Sequence, residues 1–340
     1  MIPKQQAMLL LKFVVVWFGL MGLSARADNS DPLVDKREAQ SWLKKIQSAG
    51  QKLNYSGTFI YQQANQVRTS RITHVVDGKN ELEKLEILDG KPREYFRNND
   101  EITWYMPESR TVLIEKRYTP DFFPAMLAAN SSDLAEHYEL RRGEGGRVAG
   151  YDCQAVTLEP KDNLRYGYRL WAEKNSGLLL RAQIVNERNE VIEQITFAQV
   201  AIGGIDKGSV KPSFPNTSGW HVENSAITQV NQSGWSVKAV PAGFKKMHEL
   251  KRLVSDTPAN SAAGGVPAQH EVSQIVFSDG LAAISVFVEP GSQSRTEGSM
   301  QQGAMNIVGK RQGDFWLTIV GEVPATAIRQ VANSIEFKPK

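Results

Sequence analysis

Residues 150–197, GYDCQAVTLEPKDNLRYGYRLWAEKNSGLLLRAQIVNERNEVIEQITF, show the clearest pattern in the 340-residue chain. Apolar and polar side chains alternate in runs that polar turns separate, among them Asn175-Ser-Gly177. A period of two places successive side chains on opposite faces of a strand, so one face is apolar and the other carries Arg165, Arg169 and Arg181. The segment therefore predicts a meander of three or four antiparallel strands with one buried and one solvated face.

A second group of strands is predicted before this meander. Six runs typical of strands fill residues 55–116, and the dipeptides Asp77-Gly78 and Asp89-Gly90 lie between them. Both dipeptides favour tight hairpin turns, because Asp and Gly tolerate the positive φ of a type I′ turn. Parallel connections need long crossovers, for which these turns leave no room. We therefore expect a mostly β domain of about ten antiparallel strands, curled over a small number of helices.

Helices are predicted before and between the two strand groups. The first begins at the capping residue Asp35, places apolar residues on one face at helical spacing, and ends at Gly50. Residues 120–128 predict a short, very apolar helix, and residues 131–136 begin another with a cap-like Ser-Ser-Asp sequence. The apolar insertion is either ordinary core or a lid over a ligand groove.

The N-terminus has the pattern of a cleaved signal peptide. Two lysines precede the apolar run 13–23, and Ala25-Arg26-Ala27 fits a cleavage site that leaves Asp28 as the first mature residue. The apolar run is short for a bilayer span, so an uncleaved anchor is the less favoured alternative. Removing residues 1–27 removes three basic and no acidic side chains, which changes the net charge from +3 to zero. We therefore predict an exported protein that does not bind nucleic acid.

The composition divides the mature chain into two domains. Residues 203–219 are rich in glycine and proline and are predicted to be a linker. The linker separates a larger β domain, residues 28–202, from a smaller α+β domain, residues 220–340. Within the smaller domain, residues 255–270 are rich in Ala, Gly, Pro and Ser and predict a disordered surface loop.

The smaller domain combines strands with one helix. Four strands are predicted between residues 272 and 320, with turn dipeptides between them. A last helix is predicted to open at Pro324 and to turn Ile328, Val331 and Ile335 inward. Strands followed by a helix in this order favour an α+β domain.

Motifs for catalysis, phosphate binding and metal binding are missing from the sequence. There is no G-x-S-x-G or G-x-x-x-x-G-K-[ST] motif, and the five histidines are isolated from each other. Cys153 is the only cysteine, which excludes an intramolecular disulfide. Its place at the start of an alternating strand favours a buried small hydrophobe over a reactive thiol. We therefore predict a binding protein without metal or cofactor rather than an enzyme.

Short motifs along the chain resemble those of one known family. They are Gly150-Tyr-Asp-Cys-Gln-Ala-Val156, Tyr166-Gly-Tyr-Arg-Leu-Trp171, Gly177-Leu-Leu-Leu-Arg181, Glu193-Gln-Ile-Thr-Phe197, Val240-Pro-Ala-Gly-Phe244, Phe277-Ser-Asp-Gly-Leu281 and Ile319-Val-Gly-Glu-Val-Pro324. In order and spacing they resemble the RseB/MucB family along essentially the whole mature chain, with the alginate-associated branch the most similar. Members of this family are periplasmic negative regulators of a sigma factor of the sigma-E or AlgU type, which responds to envelope stress.

The resemblance implies a fold, a location and a partner. The implied fold is an unclosed barrel of antiparallel strands wrapped around helices, like that of the carriers LolA and LolB, joined to a smaller α+β domain. The implied function is to bind, in the periplasm, the periplasmic domain of a membrane-spanning anti-sigma factor of the RseA or MucA type and to shield it from regulated proteolysis. Mislocalised lipopolysaccharide or a similar lipid is implied to release it. A lipid or lipoprotein carrier of the LolA/LolB type is the alternative, and a homo-oligomer is left open.

Two sets of site residues follow from these expectations. Alternation of aromatic residues and the carrier resemblance predict a lipid groove lined by Phe59, Tyr61, Trp104, Phe122, Phe123, Tyr166, Tyr168 and Leu180. A cluster of bases beside an aromatic ring predicts an anti-sigma-binding surface at Trp235, Phe244, Lys245, Lys246, Lys251 and Arg252. For the second set, a solvated charged face is the alternative.

Overall fold

Strands dominate the structure, as the alternating pattern predicts. The computed structural model describes residues 32–116, 123–124, 126–127, 131–224, 227–230, 233–255, 269–291 and 295–338. The predicted signal peptide, and most of the loop predicted at 255–270, lie outside the described residues. Residues 32–340 form one compact unit that contains two main β-sheets.

The larger sheet contains thirteen strands. They are β1 (Tyr55–Gln63), β2 (Gln66–Asp77), β3 (Asn80–Ile87), β4 (Arg93–Asn98), β5 (Glu101–Met106), β6 (Thr111–Lys116), β7 (Tyr138–Arg142), β8 (Gly146–Val148), β9 (Tyr151–Pro160), β10 (Gly167–Glu173), β11 (Leu179–Val185), β12 (Val191–Ile202) and β13 (His221–Asn224). Their order is β13-β6-β5-β4-β3-β2-β1-β12-β11-β10-β9-β7, and β8 also pairs with β9. Because β12 pairs with β1, the two predicted strand groups form one sheet. Its end strands β13 and β7 do not pair with each other among the described strands, so the predicted mostly β, unclosed architecture is confirmed.

Three of these strands were not predicted. Strands β7 and β8 are short and lie between the two strand groups, and β13 comes from the part of the sequence assigned to the smaller domain. Strand β13 pairs with β6 in parallel, with His221 opposite Thr111. The expectation of purely antiparallel pairing was wrong here, because residues 117–220 separate β6 from β13 and are more than long enough for the crossover that a parallel strand needs.

The helices cover the inner face of the larger sheet. Helix α1 (Pro32–Lys52) starts before the predicted cap Asp35 and continues past Gly50, because the Leu53 N–H still donates to the Ala49 carbonyl at 3.1 Å. Helix α2 (Ser131–His137) is where the sequence predicts it. Of the helix predicted at 120–128, the described residues 123–124 form a turn and 126–127 have no regular structure; the rest lies outside the described residues. Pro124 has no N–H for helical bonding, which is consistent with the turn.

The core packs between α1 and the inner face of the sheet. The predicted apolar face of α1 is buried at Ala39, Leu43 and Ile46. Strand β10 faces it with the alternating side chains of Tyr168 and Leu170, both buried. The period-of-two prediction for this strand is therefore confirmed.

The smaller sheet has seven strands and is followed by helix α3 (Ala325–Asn333). Its strands are β14 (Ile227–Gln229), β16 (Lys245–Ser255), β17 (Gln269–Ser278), β18 (Ala283–Pro290), β19 (Gly298–Gln302), β20 (Met305–Gln312) and β21 (Phe315–Gly321), in the order β14-β16-β17-β18-β21-β20-β19. Strands β15 (Trp235–Val237) and β22 (Ile335–Phe337) form a separate pair. The last helix is confirmed, but Ile335 lies on β22 rather than on the helix, which ends when Ser334 donates its N–H back to Val331.

The predicted linker packs against the outer face of the larger sheet. The Ser213 N–H donates to Glu94 Oε1 at 2.9 Å, and the Phe214 ring lies 5.9 Å from Tyr105 and 5.7 Å from Trp220. Two short 3-10 turns, Pro107–Ser109 and Lys207–Ser209, complete the regular structure. The domain boundaries at 202 and 220 stay a prediction. Among the described helices, none combines the length and the apolar character needed to cross a membrane.

Candidate functional site: the junction of the two sheets

Two of the predicted groove residues meet on the inner face of the larger sheet. The Phe59 ring lies 5.7 Å from Phe123 and 6.0 Å from Phe197, and the last two rings are 5.1 Å apart. Aromatic pairs at such distances stabilise a core beyond the area they bury. Phe122, predicted beside them, lies outside the described residues.

The remaining groove candidates lie in different places. Tyr166, Tyr168 and Leu180 are buried, whereas Tyr61 and Trp104 are partly exposed. Trp104 packs on Tyr95 with ring centres 5.0 Å apart. Tyr166 lies close to the smaller sheet, where Asn306 donates to its hydroxyl. The lipid groove itself stays a prediction.

The predicted anti-sigma surface does not form one exposed patch. Trp235 and Phe244 are buried in the core of the smaller sheet. The four bases each have a partner, and these pairs are Lys245 with Asp133, Lys246 with Glu249, Lys251 with Glu271, and Arg252 with Gln274. The anti-sigma surface stays a prediction, and its residues lie at separate points along β16 and beside β22.

A buried ion pair joins the two sheets. Arg165, just before β10, is 2% exposed, and its Nη1 donates to Asp279 Oδ2 at 3.2 Å. Asp279 lies in the turn after β17 and also accepts a hydrogen bond from the Tyr138 hydroxyl at 3.2 Å. The prediction that Arg165 faces water was wrong, because the turn after β17 covers it and supplies a buried counter-charge in addition to Asp162, whose Oδ1 accepts from Arg165 Nε at 3.1 Å. Such a pair is stable only when its remaining hydrogen-bonding groups are also satisfied.

The remaining groups of this ion pair are satisfied. Arg165 Nη2 donates to the Ala242 carbonyl, and Asp279 Oδ1 accepts from the N–H groups of Leu281 and Ala282 at 3.0 and 2.9 Å. The Arg165 guanidinium also lies over the rings of Tyr138 and Phe244, 5.5 and 5.6 Å from their centres. A cation between two aromatic faces gains further stabilisation once it is desolvated. Burial and the negative charge of Asp279 together raise the pKa of Tyr138 well above its usual range.

Glu193 makes a second contact between the sheets. Glu193, on β12, accepts hydrogen bonds from the Tyr61 hydroxyl at 2.7 Å and from Gln63 Nε2 at 3.2 Å. Glu322, just after β21, makes no hydrogen bond or ion pair within the described part of the chain. Burial, and then the negative charge of Glu193, raise the pKa of Glu322 to about 7. Glu193 Oε2 also accepts from the Ala304 N–H at 3.4 Å, and Ala304 lies between β19 and β20 of the smaller sheet.

Tyrosine hydroxyls complete the junction. Asn306, on β20, donates through Nδ2 to the Tyr166 hydroxyl at 3.1 Å and to the Val323 carbonyl at 2.8 Å. The buried Tyr168 hydroxyl has no hydrogen-bond partner among the described residues. We use the term junction for the side chains that make these contacts, Tyr138, Arg165, Tyr166, Glu193, Asp279 and Asn306, with Glu322 close to Glu193. They hold the larger sheet to the smaller one through charges and hydrogen bonds.

Both halves of the chain match models of one protein family. The MucB/RseB N-terminal domain matches residues 38–214, and the MucB/RseB C-terminal domain matches residues 229–336. The chain belongs to the MucB/RseB family. The family predicted from the sequence motifs is therefore confirmed, and its curated relatives below are named as regulatory proteins rather than enzymes.

Curated relatives of this MucB/RseB chain match it along nearly their whole length. The sigma factor AlgU regulatory protein MucB of Pseudomonas aeruginosa is 27% identical over 315 residues, which cover 89% of this chain and 92% of the relative. The sigma-E factor regulatory protein RseB of Haemophilus influenzae is 23% identical over 333 residues, 96% of this chain and 98% of the relative.

Two solved complexes match the fold. The complex structure of Pseudomonas aeruginosa MucA/MucB matches with a TM-score of 0.68 at 25% identity, and the crystal structure of MucB in complex with MucA(peri) with 0.67 at 26%. Each match covers 89% of this chain and 100% of the solved chain.

The junction of this MucB/RseB member was not predicted as a site. Asp279 was predicted only as a turn residue, and Glu322 appeared only within the motif Ile319–Pro324. A usable signal was present, since Arg165, Asp279 and Glu322 are charged residues next to or within apolar motifs. Which of these charges face each other depends on the packing of two sheets, and local periodicity carries no information on that.

The thiol of Cys153 is expected to be inert in the native protein. Cys153 is buried, as predicted, and burial raises its pKa to about 11. At pH 8 about one thiol in a thousand is then ionised, and the thiolate is the reactive form. We expect no measurable reaction with Ellman's reagent within an hour at pH 8, but full reaction after denaturation. An exposed Ser109→Cys variant serves as the positive control; rapid labelling of the parent chain would contradict the burial of Cys153.

Proposed function

We propose that this chain is a periplasmic regulator that binds the periplasmic domain of a membrane-spanning anti-sigma factor of the MucA or RseA type. The observation that carries the proposal is the match of both halves of the chain to MucB as solved in complex with MucA(peri). Bound in this way, the regulator shields the anti-sigma factor from regulated proteolysis. The sigma factor then stays inhibited as long as the complex persists.

The junction supports this function because it fixes the relative orientation of the two sheets. Interfaces within a chain are often weak enough for the parts to move. Here the buried pair of Arg165 and Asp279, with Tyr138, sets a specific geometry, since a shift would leave charges buried and unpaired. A partner that contacts both sheets would therefore meet one preformed surface.

Release by a lipid-like signal such as mislocalised lipopolysaccharide is the second part of the proposal. Burial of one methylene group contributes about 0.8 kcal/mol, so a chain of about twelve carbons contributes on the order of 9 kcal/mol before ordering costs. This is comparable with a micromolar protein contact, about 8 kcal/mol. Lipid displaces the partner only if it binds the released conformation better than the bound one. Trp104 and the rings around Phe59 are the apolar surface that we assign to the lipid.

The test is a binding and protection assay with the mature chain, residues 28–340. We expect it to co-purify with the periplasmic domain of the anti-sigma protein of the same organism and to slow cleavage of that domain by its site-1 protease. Added lipopolysaccharide should reverse both effects. Failure to form the complex would refute the regulator, and lipid transfer without protection would favour a carrier.

A matched pair of variants separates the lipid part from the partner part. Trp104→Asp is expected to weaken the lipopolysaccharide response about tenfold, because it places a charge where an acyl chain would pack. Leu88→Asp adds the same charge at an exposed apolar residue beside β3 and should leave the response unchanged. An unchanged response in Trp104→Asp would show that lipid binds elsewhere.

A further inference from the structure

Strand β19 is an open and uncharged sheet edge. Its five residues, Gly298–Gln302, pair with β20 on one side only, and no other described strand pairs with β19. All five are exposed, including Met300 at 58%. In an antiparallel edge strand, every second residue points its N–H and C=O away from the sheet, where they are free to pair with another chain.

The other edges of the two main sheets are better protected than β19. Strand β14 is only three residues long, and the end strands of the larger sheet carry charges, Glu223 on β13 and Arg141 on β7. Short length and charged side chains are the usual means by which proteins block edge pairing. Strand β19 has no charge, no proline and no bulge in its pairing register. It is therefore the edge best suited to accept a further strand.

A groove runs beside this edge. It has a volume of about 310 Å³ and lies between β19–β20 and helix α3. Val308 and the buried Ile328 give it an apolar wall, and Arg329, one turn of helix after Ala325, is exposed at its rim. Arg329 makes no ion pair or hydrogen bond within the described part of the chain. An edge strand beside a helix can hold an extended peptide, with backbone pairing for affinity and the groove for alternate side chains.

We infer that an extended segment of the anti-sigma factor adds to β19 as a further strand, with an apolar side chain in the groove against Ile328 and a carboxylate beside Arg329. This inference rests on the proposed function, since that function supplies the occupant. Charge complementarity sets its chemistry, because Arg329 is the only charged side chain among the described residues that line the groove. A strand opposite five residues would be about 17 Å long.

The groove also touches the junction. Asn306 lines it and bonds Tyr166 of the larger sheet, and the carbonyl of Gln302 at the end of β19 accepts from Gln63 of β1. A strand bound at β19 thus contacts groups that hold the two sheets together. Occupation of the groove and the orientation of the sheets are therefore linked.

The experiment measures the affinity of the mature chain for the anti-sigma periplasmic domain together with amide hydrogen exchange. Those amides of residues 299–301 that point away from β20 should become protected in the complex. Ser299→Pro and Arg329→Glu should each raise the dissociation constant at least about tenfold, the first by blocking edge pairing and the second by reversing the charge. Arg329→Lys should stay within about threefold, and Arg188→Glu, an exposed reversal on the larger sheet, should have no effect.

Each outcome decides one hypothesis. Absence of any complex with the parent chain refutes the proposed function. A complex of unchanged affinity in Arg329→Glu, without protection at 299–301, overturns the inference about β19 and leaves the regulator intact. Another result would be self-association of the chain through β19. If Ser299→Pro abolishes that self-association and leaves the affinity for the partner unchanged, β19 pairs with a second copy of the chain. That result would also overturn the inference about β19. If Ser299→Pro fails to fold, Arg329→Glu and the exchange data still decide.

Discussion

Replacing Asp279 with alanine is expected to lower the free energy of unfolding by about 3 kcal/mol, because the buried Arg165 guanidinium would lose its buried counter-charge and keep only the partly exposed Asp162. Asp279 also accepts from the Tyr138 hydroxyl at 3.2 Å, so a second buried polar group would lose its partner. Urea denaturation of the mature chain, followed by circular dichroism, measures the loss. The two sheets can unfold in separate steps, so both transitions should be fitted.

Two controls test whether the ion pair itself is responsible. Glu190→Ala removes one partner of Arg188 in an exposed pair and should leave the unfolding transition close to that of the parent chain. The double variant Arg165→Met with Asp279→Leu removes both charges and should recover most of the stability, because apolar replacement of a buried pair is often neutral. If Asp279→Ala costs no more than Glu190→Ala, the pair does not stabilise the junction.

Periodicity and turn chemistry were sufficient to predict most of the larger sheet. Strands β1–β6 follow the predicted runs within a few residues. Gly78 and Gly90 have positive φ, but Asp77 and Asp89 do not, so the predicted type I′ geometry was wrong although both turns are present. Strand β13 could not be predicted in this way, because its partner β6 is more than 100 residues earlier and its four residues are all exposed. Only tertiary packing places such a strand in the sheet.

The junction marks the limit of single-sequence reasoning about the site. Arg165 has the local pattern of a solvated residue, yet Asp279 lies 114 positions later and neutralises it inside the protein. Aromatic residues with the right alternation, such as Tyr168, were predicted to line a groove, but the same alternation equally describes a core. The pattern identifies the apolar face and cannot say what covers it.

Replacing Glu322 with glutamine is expected to stabilise the protein at pH 8 by up to about 3 kcal/mol and to leave it unchanged at pH 4. In the parent chain, burial and the charge of Glu193 raise the pKa of Glu322 from the ordinary 4.5 to about 7. The folded state therefore binds the proton more tightly than the unfolded state. The stability from this group is fully present below about pH 4.5 and is lost as the pH rises through about 7. Glutamine mimics the protonated carboxyl at every pH and should remove this loss.

The measurement is the free energy of unfolding of the variant minus that of the parent chain, taken from pH 4 to pH 9. The difference is used because the other titratable groups contribute equally to the two proteins. Glu187→Gln, an exposed change in the turn before β12, controls for the loss of one negative charge and should give a flat difference. Glu193→Gln should also stabilise less than Glu322→Gln, since it disturbs the hydrogen bond from Tyr61 while it removes the repulsion. A flat difference for Glu322→Gln would show that ionised Glu322 is tolerated at the junction. A difference that grows between pH 5 and 8 would show that ionisation of Glu322 destabilises the folded protein.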